Sequence, residues 1–250
     1  MNPPDTAQAP GLPLAFGFTW DASRIPFPEI RAPDTEQPVW RAKKIFAEII
    51  HDITSLEGNP FTVPEIQTLL EGGAVGGRKT ADAEQVIHQK DSLLLLFDLA
   101  QSGAFSLSAP VALRLQSLAA KGEAFEEGVF RTGKVGISGT DYAPPTPPEA
   151  DLEKRFAEMA GAAEQIVNPF ERAMAVFLYM ARTQCFWDGN KRTGRLLMNG
   201  ILLQSGQDII SVPPSHQPEF NEKMIRFYES ADATEMMRLL SGLQIRYRFV

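Results

Sequence analysis

Helical periodicity, renewed and cut off again many times, is what most limits how this chain can fold. From Trp40 to Leu56, Ile45, Ile49 and Ile53 recur at the spacing of one helix face. Thr62-Val-Pro-Glu65 reads as a helix start, with Thr62 as N-cap, Glu65 completing a capping box and Pro64 in the first turn. Gly72-Gly73 ends that helix. Thr80–Ser102 is a long helix through Val86, Leu93–Leu96 and Leu99, stopped by Gly103, and Ala109–Ala120 is another. Further helices are expected at about 149–165, 169–183, 191–205, 217–230 and 233–243, the second opened by the Asn168-Pro169 pair. The exception is Gly128–Ala143. There a β-like Val135-Gly-Ile137, turn residues at 138–140 and the stop at Pro144-Pro145 read as a small hairpin. No alternation of strands and helices suggests a parallel sheet, so the fold class is all-α with a minor hairpin.

Length and composition fit that reading. The 250 residues suit one large domain, or a domain with an attached helical subdomain, and 44% hydrophobic content supports a sizeable core. Residues 1–38 are proline-rich and read as extended, with Leu12, Phe16, Phe18, Trp20 and Phe27 available to drape over that core. A net charge of −7 argues against a general affinity for nucleic acid. Cys185 is the single cysteine, so no internal disulfide forms. The longest apolar run, Leu93–Phe97, is far short of the roughly 20 residues a membrane helix needs. The start of the chain lacks the basic and apolar regions of a signal peptide. A cytoplasmic protein with no membrane association is the simplest expectation.

Chemistry concentrates in Phe186-Trp-Asp-Gly-Asn-Lys-Arg-Thr-Gly-Arg195, between apolar helices. Asp188-Gly189-Asn190 reads as a turn that opens a helix, whose free amides and dipole make an anion site. Lys191, Arg192 and Arg195 then crowd cations into the first turn and a half, where the dipole disfavours them by ~0.3–1 kcal/mol each. Such crowding in an acidic chain points to a polyanionic ligand, for which arginine's planar fork is suited. Asp188 is placed to hold magnesium, which takes one or two carboxylates beside phosphate oxygens. The plain alternative is an ordinary Asp-Gly turn with arginines reaching into solvent.

This stretch resembles the Fic motif, His-x-Phe-x-(Asp/Glu)-Gly-Asn-(Gly/Lys)-Arg-x-x-Arg, and matches it from Gln184 to Arg195 at every specified position except the first. Two further segments carry the resemblance. Arg131–Gly139 with Tyr142-Ala-Pro-Pro145 is similar to the family's β-hairpin flap, which implies that Lys134, Val135, Gly136 and Ile137 dock a target backbone by strand addition. Thr54–Asn59 with Thr62–Gly73 is similar to the inhibitory helix of the subclass in which that helix precedes the core, implying that Glu57 pairs with Arg195 and blocks the γ-phosphate. Ile53 stands where that subclass has Ser or Thr. The resemblance, over about residues 40–245, implies a Fic (Fido) helical core at 105–245, an N-terminal helical subdomain at 39–104 and a segment at 1–38 outside it. It implies ATP and Mg2+ as ligands, Gly189, Asn190, Lys191, Arg192 and Arg195 as phosphate contacts, Phe220 and Asn221 at the adenine, and an unidentified protein target. Self-association is left open.

Gln184 is the departure that matters. In family members that transfer AMP, the motif histidine removes the proton of the target hydroxyl, as imidazole is able to do near neutrality. A primary amide has no such basicity; it only donates and accepts hydrogen bonds. Three readings follow: a nucleotide-binding regulator without transfer, a transferase in which Gln184 orients the hydroxyl and charge stabilisation supplies the rate, or a site served by another base. The remaining histidines are His51, His88 and His216. A helical interaction module with no ligand is a fourth reading. Cys185 replaces a proline common after the histidine and reads as a small buried hydrophobe rather than a reactive thiol, and Trp187 as packing.

Overall fold

The structure is a computed structural model, and it describes residues 12–31 and 36–244. Residues 1–11 and 32–35 of the proline-rich start, including Pro3, Pro4, Pro10 and Pro33, lie outside the described residues, as does the last expected residue, 245.

An antiparallel pair, α8 (Pro169–Thr183) and α9 (Asn190–Gln204), forms the centre, and nearly every residue of both is buried. Burial on most sides suits the apolar runs Met174–Ala181 and Leu196–Leu203, while the buried polar residues Asn190, Arg192 and Arg195 gather at the start of α9. Close approach is set at Gly194, where an added Cβ would stand 3.0 Å from Met180 Cβ and 3.2 Å from the Phe177 carbonyl oxygen. Around this pair pack α5 (Thr80–Gln101) and α6 (Ala109–Ala119) against α9, and α7 (Leu152–Ala163) and α11 (Thr234–Gly242) against α8. The remaining helices are α1 (Leu12–Phe16), α2 (Glu36–Lys44), α3 (Phe46–Ser55), α4 (Val63–Leu70) and α10 (Gln217–Ser230). Capping residues set the boundaries. The Thr62 amide donates to Glu65 at 2.8 Å, and Asn168 Oδ1 accepts from the Phe170 amide at 2.9 Å.

Three expectations change. The helix over Trp40–Leu56 is broken at Ile45, so that α2 rests on α5 while α3 rests on α4 and α5; two burial directions cannot share one straight stripe. The hairpin at 128–143 is not formed: among the described residues no strand occurs there. Its backbone groups pair elsewhere, the Arg131 amide with Cys185 O at 3.1 Å and the Gly128 amide with the Gln116 side chain, and its glycines give strand pairing little to hold.

The segment read as extended over 1–38 contains helix α1 and the start of α2, and its described part is integral to the core. Phe16, Phe18 and Trp20 are buried. Phe18 meets Phe227 edge to face at 5.1 Å, and Trp20 Nε1 donates to Glu171 at 2.7 Å. The Thr19 amide bonds to Ala231 O and Thr19 O accepts from Ala233, tying the segment to the α10–α11 turn. Phe18→Ala is therefore expected to lower the unfolding free energy by about 3–5 kcal/mol, read from denaturant midpoints. A loss under ~1 kcal/mol would show that the segment merely rests on the surface.

Candidate functional site

The turn between α8 and α9 is held from within. Gln184 closes α8 in the left-handed conformation at φ 51°, Phe186 is buried and stacks on Phe130 at 5.5 Å, and Asn190 clasps both ends. Asn190 Oδ1 accepts the Phe186 amide at 2.8 Å, while its Nδ2 donates to Phe186 O at 2.8 Å and to Gln184 Oε1 at 3.0 Å. Gly189 has φ +75°, and a Cβ there would stand 2.7 Å from Ala120 Cβ, so glycine is required both by conformation and by space. The clasp leaves the first amides of α9 free of intrahelical partners, as at any helix start.

The cations divide into two kinds. Arg192 is buried with its fork committed to the protein: Nη1 donates to Ala119 O and to Glu123 Oε1, both at 2.7 Å, and Nη2 meets Asp188 at 3.3 Å. Arg195, 3% exposed, bonds through Nη2 to Glu57 Oε1 at 3.0 Å, whereas its buried Nε and Nη1 have no partner. Lys191, partly exposed, lies 3.9 Å from the other oxygen of Glu57. Burial works to raise the Glu57 pKa, but Arg195, Lys191 and Arg192 outweigh it and hold the carboxyl below its ordinary value.

Beside this cluster opens a cavity of about 520 Å3. Gln184, Asp188 and Lys191 form one wall, Val135, Gly136 and Ile137 another, and Phe220 and Asn221 of α10 a third. A smaller pocket of about 50 Å3 at the start of α9 is bordered by Glu57, Gly189, Asn190 and Arg192 as well as Gln184, Asp188 and Lys191. Glu57 borders it and Arg195 does not, so the carboxylate stands between the buried guanidinium and that space. Lys134 is exposed and lines neither, nor does any of the three histidines. Sequence reasoning missed Trp187 and Tyr228 as cavity residues. Tyr228 falls on the Phe220, Met224, Tyr228 stripe of α10, so helical spacing carried the signal.

Gln184 is engaged on both sides of its amide, since Oε1 accepts from Asn190 and Nε2 donates to Ala181 O at 2.6 Å. Cys185 is fully buried and burial pushes its thiol up to about 12, so it stays protonated and behaves as an apolar filler. Asp188 is the exposed carboxylate at the rim of both cavities, and its Oδ1 takes the Gly189 amide. Among the described residues no cluster of three metal-ligating side chains exists. A single carboxylate suits magnesium that also binds phosphate oxygens, and does not suit a closed protein metal site.

Because the Glu57 pKa is depressed in the folded chain, its ion pairs add stability above the ordinary glutamate value of about 4.3 and lose it as pH falls through the lower folded value. A 13C NMR titration of the Glu57 carboxyl should thus show a midpoint below about 4.3; a midpoint above it would mean that burial outweighs the cations.

The Fic/DOC family model matches residues 105–202. The chain is 26% identical over 228 residues to a protein adenylyltransferase Fic of Nematostella vectensis, covering 87% of this chain and 49% of that protein. It is 26% identical over 185 residues to the Drosophila melanogaster protein of the same name, covering 72% and 37%. The chain thus spans about half or less of the length of these relatives. Its fold is similar to that of Fic-1 (residues 134–508) from C. elegans, with a TM-score of 0.71 at 20% identity over 83% of this chain and 63% of the other. It is also similar to a Fic domain containing signaling protein from Bacteroides thetaiotaomicron, with a TM-score of 0.67 at 20% identity over 93% and 91%. Residues 105–202 are a Fic/DOC family domain.

Proposed function

We propose that this chain binds magnesium and a nucleotide of the ATP class in the cavity beside α9, that Glu57 restrains the phosphate subsite, and that AMP transfer to a protein hydroxyl is strongly impaired. The observation that carries this is Arg195: a buried guanidinium with two unpartnered nitrogens, covered by a carboxylate that borders the pocket at the helix start. A buried donor left unpaired costs on the order of 1–3 kcal/mol, so the arrangement favours an anion that would satisfy it. In this reading 105–245 carry the site and 39–104 hold the restraint.

Each group then has one task. The first α9 amides, from Asn190 onward, with Lys191 and Arg195, take phosphate oxygens, and Arg192 holds the turn to Glu123 and Ala119 rather than reaching the ligand. Phe220 and Asn221 face the base. Asp188 holds magnesium, which supplies charge neutralisation at the phosphates. Val135–Ile137 offer backbone to a protein target, although they are not paired as a hairpin.

Adenylyl transfer needs the target hydroxyl to lose its proton while attacking the α-phosphorus and expelling pyrophosphate. Gln184 has no group to take that proton. Its amide is also tied to Asn190 and Ala181, which favours a nucleotide-binding regulator with no transfer over a transferase in which Gln184 swings to orient a hydroxyl.

Calorimetry with Mg-ATP should show binding that tightens in Glu57→Gly and then weakens by about ten- to a hundredfold when Arg195→Ala is added. No heat in any form would leave the helical interaction module standing. With labelled ATP and cell lysate, Glu57→Gly alone should transfer little label. The Glu57→Gly, Gln184→His double variant should gain on the order of 10²-fold or more. Equal labelling by both would mean that transfer does not need the missing base.

A further inference from the structure

We propose that Arg131 is a positioning residue, which fastens the 131–145 segment and position 184 to each other so that Val135–Ile137 and the residue at the family's reactive position keep one fixed relation. Its functional meaning rests on the reading above; the clamp itself is read from contacts.

Arg131 is 2% exposed, yet none of its hydrogen bonds is to a carboxylate. All three nitrogens of its fork donate to main-chain carbonyls. Nε donates to Gln184 O, Nη1 to Gly133 O, and Nη2 to Pro145 O and, at 3.3 Å, to Thr183 O. Its own amide donates to Cys185 O at 3.1 Å. Thr183 and Gln184 end α8, so their carbonyls are among those a helix leaves unpaired, at the negative end of its dipole. That end stands in for the missing carboxylate as the partner of the charge.

The remaining two contacts are what distinguish a clamp from an ordinary helix cap. Gly133 and Pro145 lie on either side of Val135–Ile137, so one guanidinium holds both ends of the stretch that walls the cavity. The same guanidinium holds Gln184 by its carbonyl, while Asn190 holds it by its side chain. Gln184 is one of two non-glycine residues at positive φ among the described residues, a conformation that persists when surrounding contacts over-determine it. A lysine, with no planar fork, does not reach four carbonyls in these directions.

The test is 15N NMR on the full chain. In the unmodified protein the Arg131 side chain should give a sharp Nε signal and separately resolved Nη signals, since a guanidinium held through all three nitrogens rotates slowly. A single averaged Nη signal would overturn the proposal, and this reading stands even if every variant fails to fold. In Arg131→Lys, signals of the Gln184 amide and of Val135–Ile137 should shift together, with hydrogen exchange at both faster by about tenfold or more. Amides from Thr193 onward and Mg-ATP affinity should stay within about twofold, because Arg131 touches neither. A change at Gln184 without one at Val135–Ile137, or the reverse, would reduce Arg131 to a local cap and overturn the coupling. In the Glu57→Gly, Gln184→His background, adding Arg131→Lys should lower kcat with KM for ATP unchanged; equal loss in both would count against positioning. Absence of ATP binding would defeat the nucleotide reading while leaving the NMR coupling readable.

Discussion

A guanidinium taken out of water needs partners for its charge, and Arg195 has the Glu57 carboxylate. The interaction joins α9, at the centre of the bundle, to the end of α3 on its flank. Removing one partner of a buried pair leaves an uncompensated charge, which typically costs about 3–5 kcal/mol, so α3 is held where it is by the needs of α9. The pair is incomplete on the arginine side: Glu57 satisfies one nitrogen and leaves two buried ones without partners. A phosphate, with more oxygens and more charge than a carboxylate, would serve the same fork better. In the proposed reading, that difference makes the contact a restraint that an anionic ligand would compete with.

The motif turn around it is built for rigidity. Asn190 uses both halves of its amide on Phe186 and Gln184, and Gly189 lies against Ala120 with no room for a side chain. Arg192, the cation with the most contacts, spends them on the protein. Arg192 and Arg195, three residues apart, therefore do different work: one fixes the turn, and the other, with Lys191, meets Glu57. In the proposed reading, phosphate binding and proton abstraction fall to separate residues, so glutamine at position 184 would remove the second without disturbing the first.

Much of this was legible in the sequence because it is local. Thr62 and Asn168 announce their helices through hydrogen bonds that reach only two or three residues, and the Gln184–Arg195 stretch fixes its own turn. What was not legible depends on distant partners. Ile45, Ile49 and Ile53 read as one stripe, but the helix breaks at Ile45, with α2 resting on α5 and α3 on α4 as well as α5. Val135-Gly-Ile137 read as a strand, but nothing in the segment reveals that Arg131 and Gly128 would bond to α8 and α6 residues instead of across a hairpin. Phe16, Phe18 and Trp20 sit among prolines, and their burial is decided by Tyr179, Phe227 and Glu171, all more than a hundred residues away.

The most direct test of the central claim is a crystal structure of the Glu57→Gly chain with Mg-ATP. If Arg195 is the restrained phosphate ligand, its Nε and Nη1 should both lie within about 2.7–3.2 Å of phosphate oxygens, with magnesium on Asp188. Phosphates bound elsewhere, with those two nitrogens still unpartnered, would contradict the account.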